Sequence, residues 1–128
     1  MKYLLDTHVF LWAIAGDRRI SEKAHEVLFQ KSHDFFLSAG SVWEIVMKVQ
    51  VGKLPLPARL APYLKRQMAA NRVQVLPISF AHVVRIEQLP LHHRDPFDRI
   101  LVAQSIEEEM LLVSADPEFR RYPVKVVW

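Results

Sequence analysis

The chain has 128 residues, 51% hydrophobic and 24% charged, with a formal charge of +3 and a pI of about 9.4. That length favours one domain over residues 1–128, and that apolar share supports a real core and excludes a disordered chain. The absence of cysteine excludes disulfides, thiolate zinc sites and cysteine nucleophiles, and agrees with a reducing cytoplasm.

The first segment, KYLL, reads as a strand, with no basic leader ahead of it. THVFLWAIA follows as a helix that Gly16 can end. Its VFLWAIA core is the densest apolar stretch and is far too short to span a bilayer, so a cytoplasmic protein with no membrane attachment is expected. Ser21 predicts the N-cap of a helix over SEKAHEVLFQK, and FFLS reads as the second strand. SVWEIVMKVQVGK predicts a helix opened by a capping box of Ser41 and Glu44 and stopped near Gly52. LPLPA is a loop, because two prolines at that spacing suit neither helix nor central strand. ARLAPYLKRQMAANR is amphipathic, with Pro62 setting its start. VQVLPI is the third strand and SFAHVVRIEQL a short helix ended by Pro90. DPFDRILVAQSIEEEM is the best-marked helix, with Asp95 as cap and Pro96 at the first position. Glu107–Glu109 read as its solvated end. LLVS and VKVVW complete five strand-like runs. These runs are apolar through both faces, as in a helix-covered parallel sheet, so the expected fold class is α/β with a central parallel sheet of about five strands.

Four carboxylates stand where a strand hands over to a helix or loop: Asp6, Glu44, Asp98 and Asp116. In parallel α/β folds such points share the carboxyl edge of the sheet, where ligands bind. Each acid also has a structural reading. Asp6 can cap the helix starting at Thr7, and Glu44 can answer Ser41. Asp98 can serve the dipole of its helix, and Asp116, before Pro117, can open a turn. Four capping accidents would not need to share one edge. A cluster of acids without cysteine is an oxygen-ligand site for a hard divalent ion, which points to metal-assisted phosphodiester hydrolysis.

YLLDTHVFLW, SVWEI, HHRDPFDRILVAQ and LLVSADPEF together resemble a PIN domain, and more narrowly a VapC-type toxin of a bacterial toxin–antitoxin pair. The resemblance runs in order through nearly the whole chain; RDPFDR and S-A-D-x-x-F are its more specific parts. It implies that Asp6, Glu44, Asp98 and Asp116 hold one or two Mg2+ or Mn2+ ions and cut RNA by metal-activated water, leaving a 5′-phosphate and a 3′-hydroxyl. It also implies a homodimer silenced by a small protein antitoxin. Ser114 stands where the family often has threonine and keeps the hydroxyl. On this reading Asp6, Glu44 and Asp98 form the inner set, and Asp116 binds through water or holds a second ion. Thr7 can position a metal-bound water or simply start a helix. Asp95 fits a cap best, with an outer contact to the site as the alternative. Arg94 and Arg99, with His92 and His93, flank the acids and can meet RNA phosphates or be plain solvated charges. Phe10, Trp12 and Trp43 are read as mostly core, with Trp12 also open to a dimer or antitoxin surface.

Three other functions compete. His8, His92 and His93 could act as acid and base in metal-free RNA cleavage. An aspartyl-nucleophile phosphoryl-transfer domain would need a second acid two places after Asp6, where His8 stands. The third is an RNA- or partner-binding module that keeps the fold without turnover.

Overall fold

Side chains of a strand leave it on alternate faces, and in strand β1 (Lys2–Leu5) both faces are covered. In the computed structural model, which describes residues 1–128, Tyr3 and Leu5 pack into one apolar core with Val9, Phe10 and Leu37. Leu4 points the other way, into a second core with Leu101, Leu112 and Phe119. A strand buried on both sides belongs in the middle of a parallel sheet. The remaining elements are α1 (Thr7–Ala15), α2 (Glu22–Leu28), β2 (Asp34–Ser38), α3 (Ala39–Gln50), α4 (Leu60–Ala70), β3 (Val73–Leu76), α5 (Phe80–Arg85), α6 (Pro96–Glu107), β4 (Leu111–Val113) and β5 (Val126–Val127). Short 3₁₀ segments cover Ile86–Gln88 and Pro117–Arg121.

All strand pairs are parallel, in the order β3-β2-β1-β4-β5. The chain builds outward from β1 to β3, then returns to the other side of β1 with β4. The switch of direction therefore falls between β1 and β4, the place where open α/β sheets form ligand crevices. The expected five-stranded parallel α/β fold is the one observed. No helix is long and apolar enough to cross a membrane.

The local signals act as read at several ends. Gly16 adopts φ 64° and closes α1, with the Asp17 N–H donating to the Trp12 carbonyl at 2.9 Å. The Ser21 hydroxyl accepts from the Ala24 N–H at 3.1 Å, and the Asp95 carboxylate accepts from the Phe97 N–H at 2.8 Å with Pro96 opening α6.

Other expectations are corrected. The Ser41–Glu44 capping box does not form: α3 begins at Ala39, directly off β2, and the Ser38 hydroxyl takes the Gly40 N–H at 3.0 Å. Ser41 and Glu44 are thereby interior helical residues on one face. Trp43 is 61% exposed rather than core, meeting Phe97 edge to face at 5.2 Å. The EEE run is not simply solvated, since Glu107 pairs with Arg85, and Glu108 lies 3.3 Å from buried His82. His82 also forms a reciprocal cap with Ser79 that the sequence reading did not anticipate.

Gly40 sets the approach of α3 to α6: a Cβ there would lie 3.1 Å from the Ile100 side chain. Gly40→Val is expected to overpack this contact and cost about 1–3 kcal/mol, measured as a lower urea midpoint with an unchanged slope.

Candidate active site

Asp6 leaves the end of β1 at the switch point, its N–H donating to the Val113 carbonyl of β4 at 3.0 Å. Its carboxylate makes no capping bond to α1. It accepts instead from the Ser114 hydroxyl at 2.7 Å, across 108 residues of sequence. Thr7 donates its hydroxyl to Ser41 Oγ at 2.8 Å in a buried bond that ties the start of α1 to α3. One turn further along α3, Glu44 is buried, and its Oε2 accepts from the Lys48 ammonium at 2.9 Å. Asp98 projects from the first turn of α6, which Gly40 lets come close to α3.

The electrostatics identify these acids as neighbours. Asp98 is pushed from its ordinary value of 3.8 to about 7. Burial is the largest cause, followed by the negative charge of Asp95 and then of Asp6, with Glu44 adding to them and His93 acting in the opposite direction. Asp6 is also raised, chiefly by burial and slightly by Glu44, against lowering by the Ser114 hydrogen bond, the charge of His8 and the Thr7 backbone. Asp6, Glu44 and Asp98 are thus brought to one edge. Asp116 joins them through Ser114, whose oxygen accepts the Asp116 N–H at 3.1 Å.

The four acids do not close into a cage: no three of the acidic and histidine side chains converge tightly enough to enclose an ion. Two of them already have side-chain partners, Glu44 in Lys48 and Asp116 in His93 Nε2 at 2.8 Å. Asp116 also performs its structural role, accepting the Glu118 N–H at 2.9 Å. The donor set is nevertheless oxygen throughout and carries more negative charge than the surrounding groups offset. That chemistry fits a hard divalent ion, and Asp6, Asp98 and Glu44, with Asp116 at the margin, are the residues that would hold it.

The flanking basic residues divide. Arg94 is exposed. Arg99 is engaged, donating to the carbonyls of Pro90 at 3.0 Å and Ile86 at 3.1 Å, so it braces the loop before α6. Asp95 caps α6 while raising Asp98. Nothing in the sequence singled out Lys48 or Tyr122 as part of the site, and Ser41 stood out only as a helix cap. Lys48 was legible as an i,i+4 partner of Glu44, but no local signal marks Tyr122. A cavity of about 430 Å3 opens elsewhere, among Gly16, His25, Phe29, Lys31 and Arg72. Asp17 is the one acid in its lining, so the cavity lacks the gathered carboxylates that a hard divalent ion needs.

The raised acid predicts a pH dependence for the metal-free protein. Unfolded, the Asp98 carboxyl titrates near 3.8; folded, near 7. Between these values the folded state holds a proton that the unfolded state has released, so stability is greatest below the lower value and falls as pH rises through the upper one. Urea midpoints measured from pH 4 to 8 in chelator are expected to fall for the parent and to fall less for Asp98→Asn. Parallel curves for the two proteins would contradict the shift.

Comparison with known proteins agrees with this architecture. The PIN-domain profile matches residues 3–125. No curated protein sequence matches. Among solved structures, the chain is similar to VapBC2 from Rickettsia felis, determined bound to a DNA fragment from its promoter. The TM-score is 0.70 at 16% identity, covering 98% of this chain and 97% of that one. A toxin–antitoxin complex from Klebsiella pneumoniae gives 0.62 at 19% identity, covering 98% and 96%. FitAcB from Neisseria gonorrhoeae gives 0.63 at 19%, covering 97% and 95%. At these identities the structures speak for the fold, and the profile match over almost the whole length carries the assignment: the chain belongs to the PIN-domain family.

Proposed function

We propose that the protein is a metal-dependent endoribonuclease of the VapC type, the toxin of a type II toxin–antitoxin pair. PIN domains are nucleases as a family, and the solved structures similar to this chain include toxin–antitoxin complexes. The observation that carries the reading is the gathering of Asp6, Glu44 and Asp98 at the switch point, with Asp98 raised to about 7 by burial and by its acidic neighbours. Burying like charges together costs stability unless a cation offsets them, so the arrangement suits an Mg2+ or Mn2+ site of one or two ions. When bound, such an ion offsets the negative charge of the phosphodiester and lowers the pKa of water.

The chain's own residues supply the rest. Ser114 fixes one oxygen of Asp6, and the Thr7–Ser41 bond fixes the angle between α1 and α3 and so the distance from Asp6 to Glu44. Lys48 offsets part of the charge on Glu44 in the absence of metal. Arg94 is exposed and adjoins Asp95 in sequence, and on this reading it meets a phosphate of the substrate. A cytoplasmic homodimer, an RNA substrate and a protein antitoxin complete the proposal.

The metal-free histidine reading is weakened by the commitment of both ring nitrogens of His93, to Tyr122 and to Asp116. A non-catalytic module is separated from the enzyme by activity itself.

Saturating Mg2+ or Mn2+ is expected to raise the melting temperature of the parent and to raise that of Asp6→Asn much less; equal shifts would remove Asp6 from the ion site. Cleavage of a mixed RNA pool should stop in EDTA and leave 5′-phosphate ends, whereas activity that persists with cyclic phosphate ends would favour histidine. Asp98→Asn should lower the cleavage rate by at least about a hundredfold, the upper range for losing an outer support of a metal ligand.

A further inference from the structure

We propose that His93 and Tyr122 are positioning residues: they form a hydrogen-bonded brace that holds the carboxylate of Asp116 in one orientation beside the ion-holding edge. The inference rests on the metal-nuclease reading and adds to it the control of one acid.

The brace joins two segments: His93 comes from the loop before α6, while Asp116 and Tyr122 flank the two ends of the Pro117–Arg121 3₁₀ segment. The His93 N–H donates to Tyr122 Oη at 2.9 Å, His93 Nδ1 lies 3.1 Å from the same oxygen, and His93 Nε2 lies 2.8 Å from Asp116 Oδ2. One proton arrangement with a neutral ring satisfies all three contacts. The phenol oxygen accepts the backbone N–H and gives its own proton to Nδ1, leaving the proton on Nε2 to be donated to the carboxylate. A proton on Nδ1 would instead give the phenol oxygen a second donor and leave its own proton without a partner among these groups.

Packing holds the ring in place. The His93 side chain is 8% exposed, stacked on Tyr122 at 5.6 Å and 13° and lying 4.6 Å from the ring of buried Phe119. Asp116 has a 36% exposed side chain and would otherwise sample several rotamers. With Oδ2 held by His93 and Oδ1 by the Glu118 N–H, its torsions are set, and roughly half of the four acceptor positions of an ionised carboxylate remain for a ligand. The Asp116 N–H continues the network through Ser114 to Asp6. The brace therefore connects the outlying acid to the buried one by hydrogen bonds alone. Supports of this kind typically change metal affinity by about 10–100-fold.

The test compares the parent with His93→Phe, His93→Gln and Tyr122→Phe. Free Mn2+ is titrated by electron paramagnetic resonance, and the His93 tautomer is read from ¹⁵N NMR of the metal-free protein near neutral pH. The parent should show the Nε2–H tautomer. His93→Phe should bind Mn2+ about 10–100-fold more weakly. His93→Gln, whose amide N–H can reach the same carboxylate, should recover most of that loss. Tyr122→Phe should mix the tautomers and weaken binding less than His93→Phe does. Equal Mn2+ affinity in parent and His93→Phe, or no recovery in His93→Gln, would overturn the brace. So would an Nδ1–H ring in the parent, a result independent of whether the variants fold. A parent that binds no Mn2+ but shows the predicted tautomer would overturn the metal reading, and with it the role given to the brace.

Discussion

Burial of carboxylates beside one another at one edge of a sheet is the constraint on which the rest of the structure depends. Asp6 and Asp98 are both pushed above their ordinary values, and burial leads the causes in each. A chain selected only for stability would avoid such a cluster, because a buried carboxylate without a compensating charge is costly. The surrounding contacts hold the acids there rather than disperse them. Ser114 donates to Asp6, Thr7 donates to Ser41, and Gly40 admits Ile100 so that α6 can approach α3.

The topology explains why this edge and no other carries the acids. β1 is buried on both faces and flanked by β2 and β4, so its carboxyl end lies in the interior of the sheet rim. Asp6 stands there and is buried, while Asp98 and Asp116, reached from α6 and from the turn after β4, are only half-buried. The site grades from buried to open, which suits a cation held within reach of a long polyanionic substrate. The cavity among α1, α2 and α4 is separate from this gradient and plays no part in it.

Much of this was legible in the chain because the signals were local. The strands read as apolar runs, and Asp95-Pro96 marked the start of α6 by the chemistry of its cap. Asp6 and Asp116 were found because each follows a strand-like run directly. Glu44 was found as an acid where a strand hands over to a helix, and the capping box offered as its structural role does not exist; the helix begins two residues before the serine that seemed to open it, because β2 passes into α3 without a loop. What stayed hidden were pairings between remote segments. Thr7 with Ser41, Arg99 with the carbonyls before α6, and His93 with Tyr122 and Asp116 depend on how layers stack, and no spacing in the sequence encodes them. The open arrangement of the four acids was equally illegible, since it depends on how α3, α6 and the turn after β4 are placed relative to one another.

A divalent cation drawn to that edge is what the proposed chemistry requires. Anomalous diffraction from crystals soaked in manganese tests this most directly. The account predicts a peak bounded by Asp6, Glu44 and Asp98, with Asp116 at its margin. Crystals saturated with manganese that show no peak at this edge would contradict it.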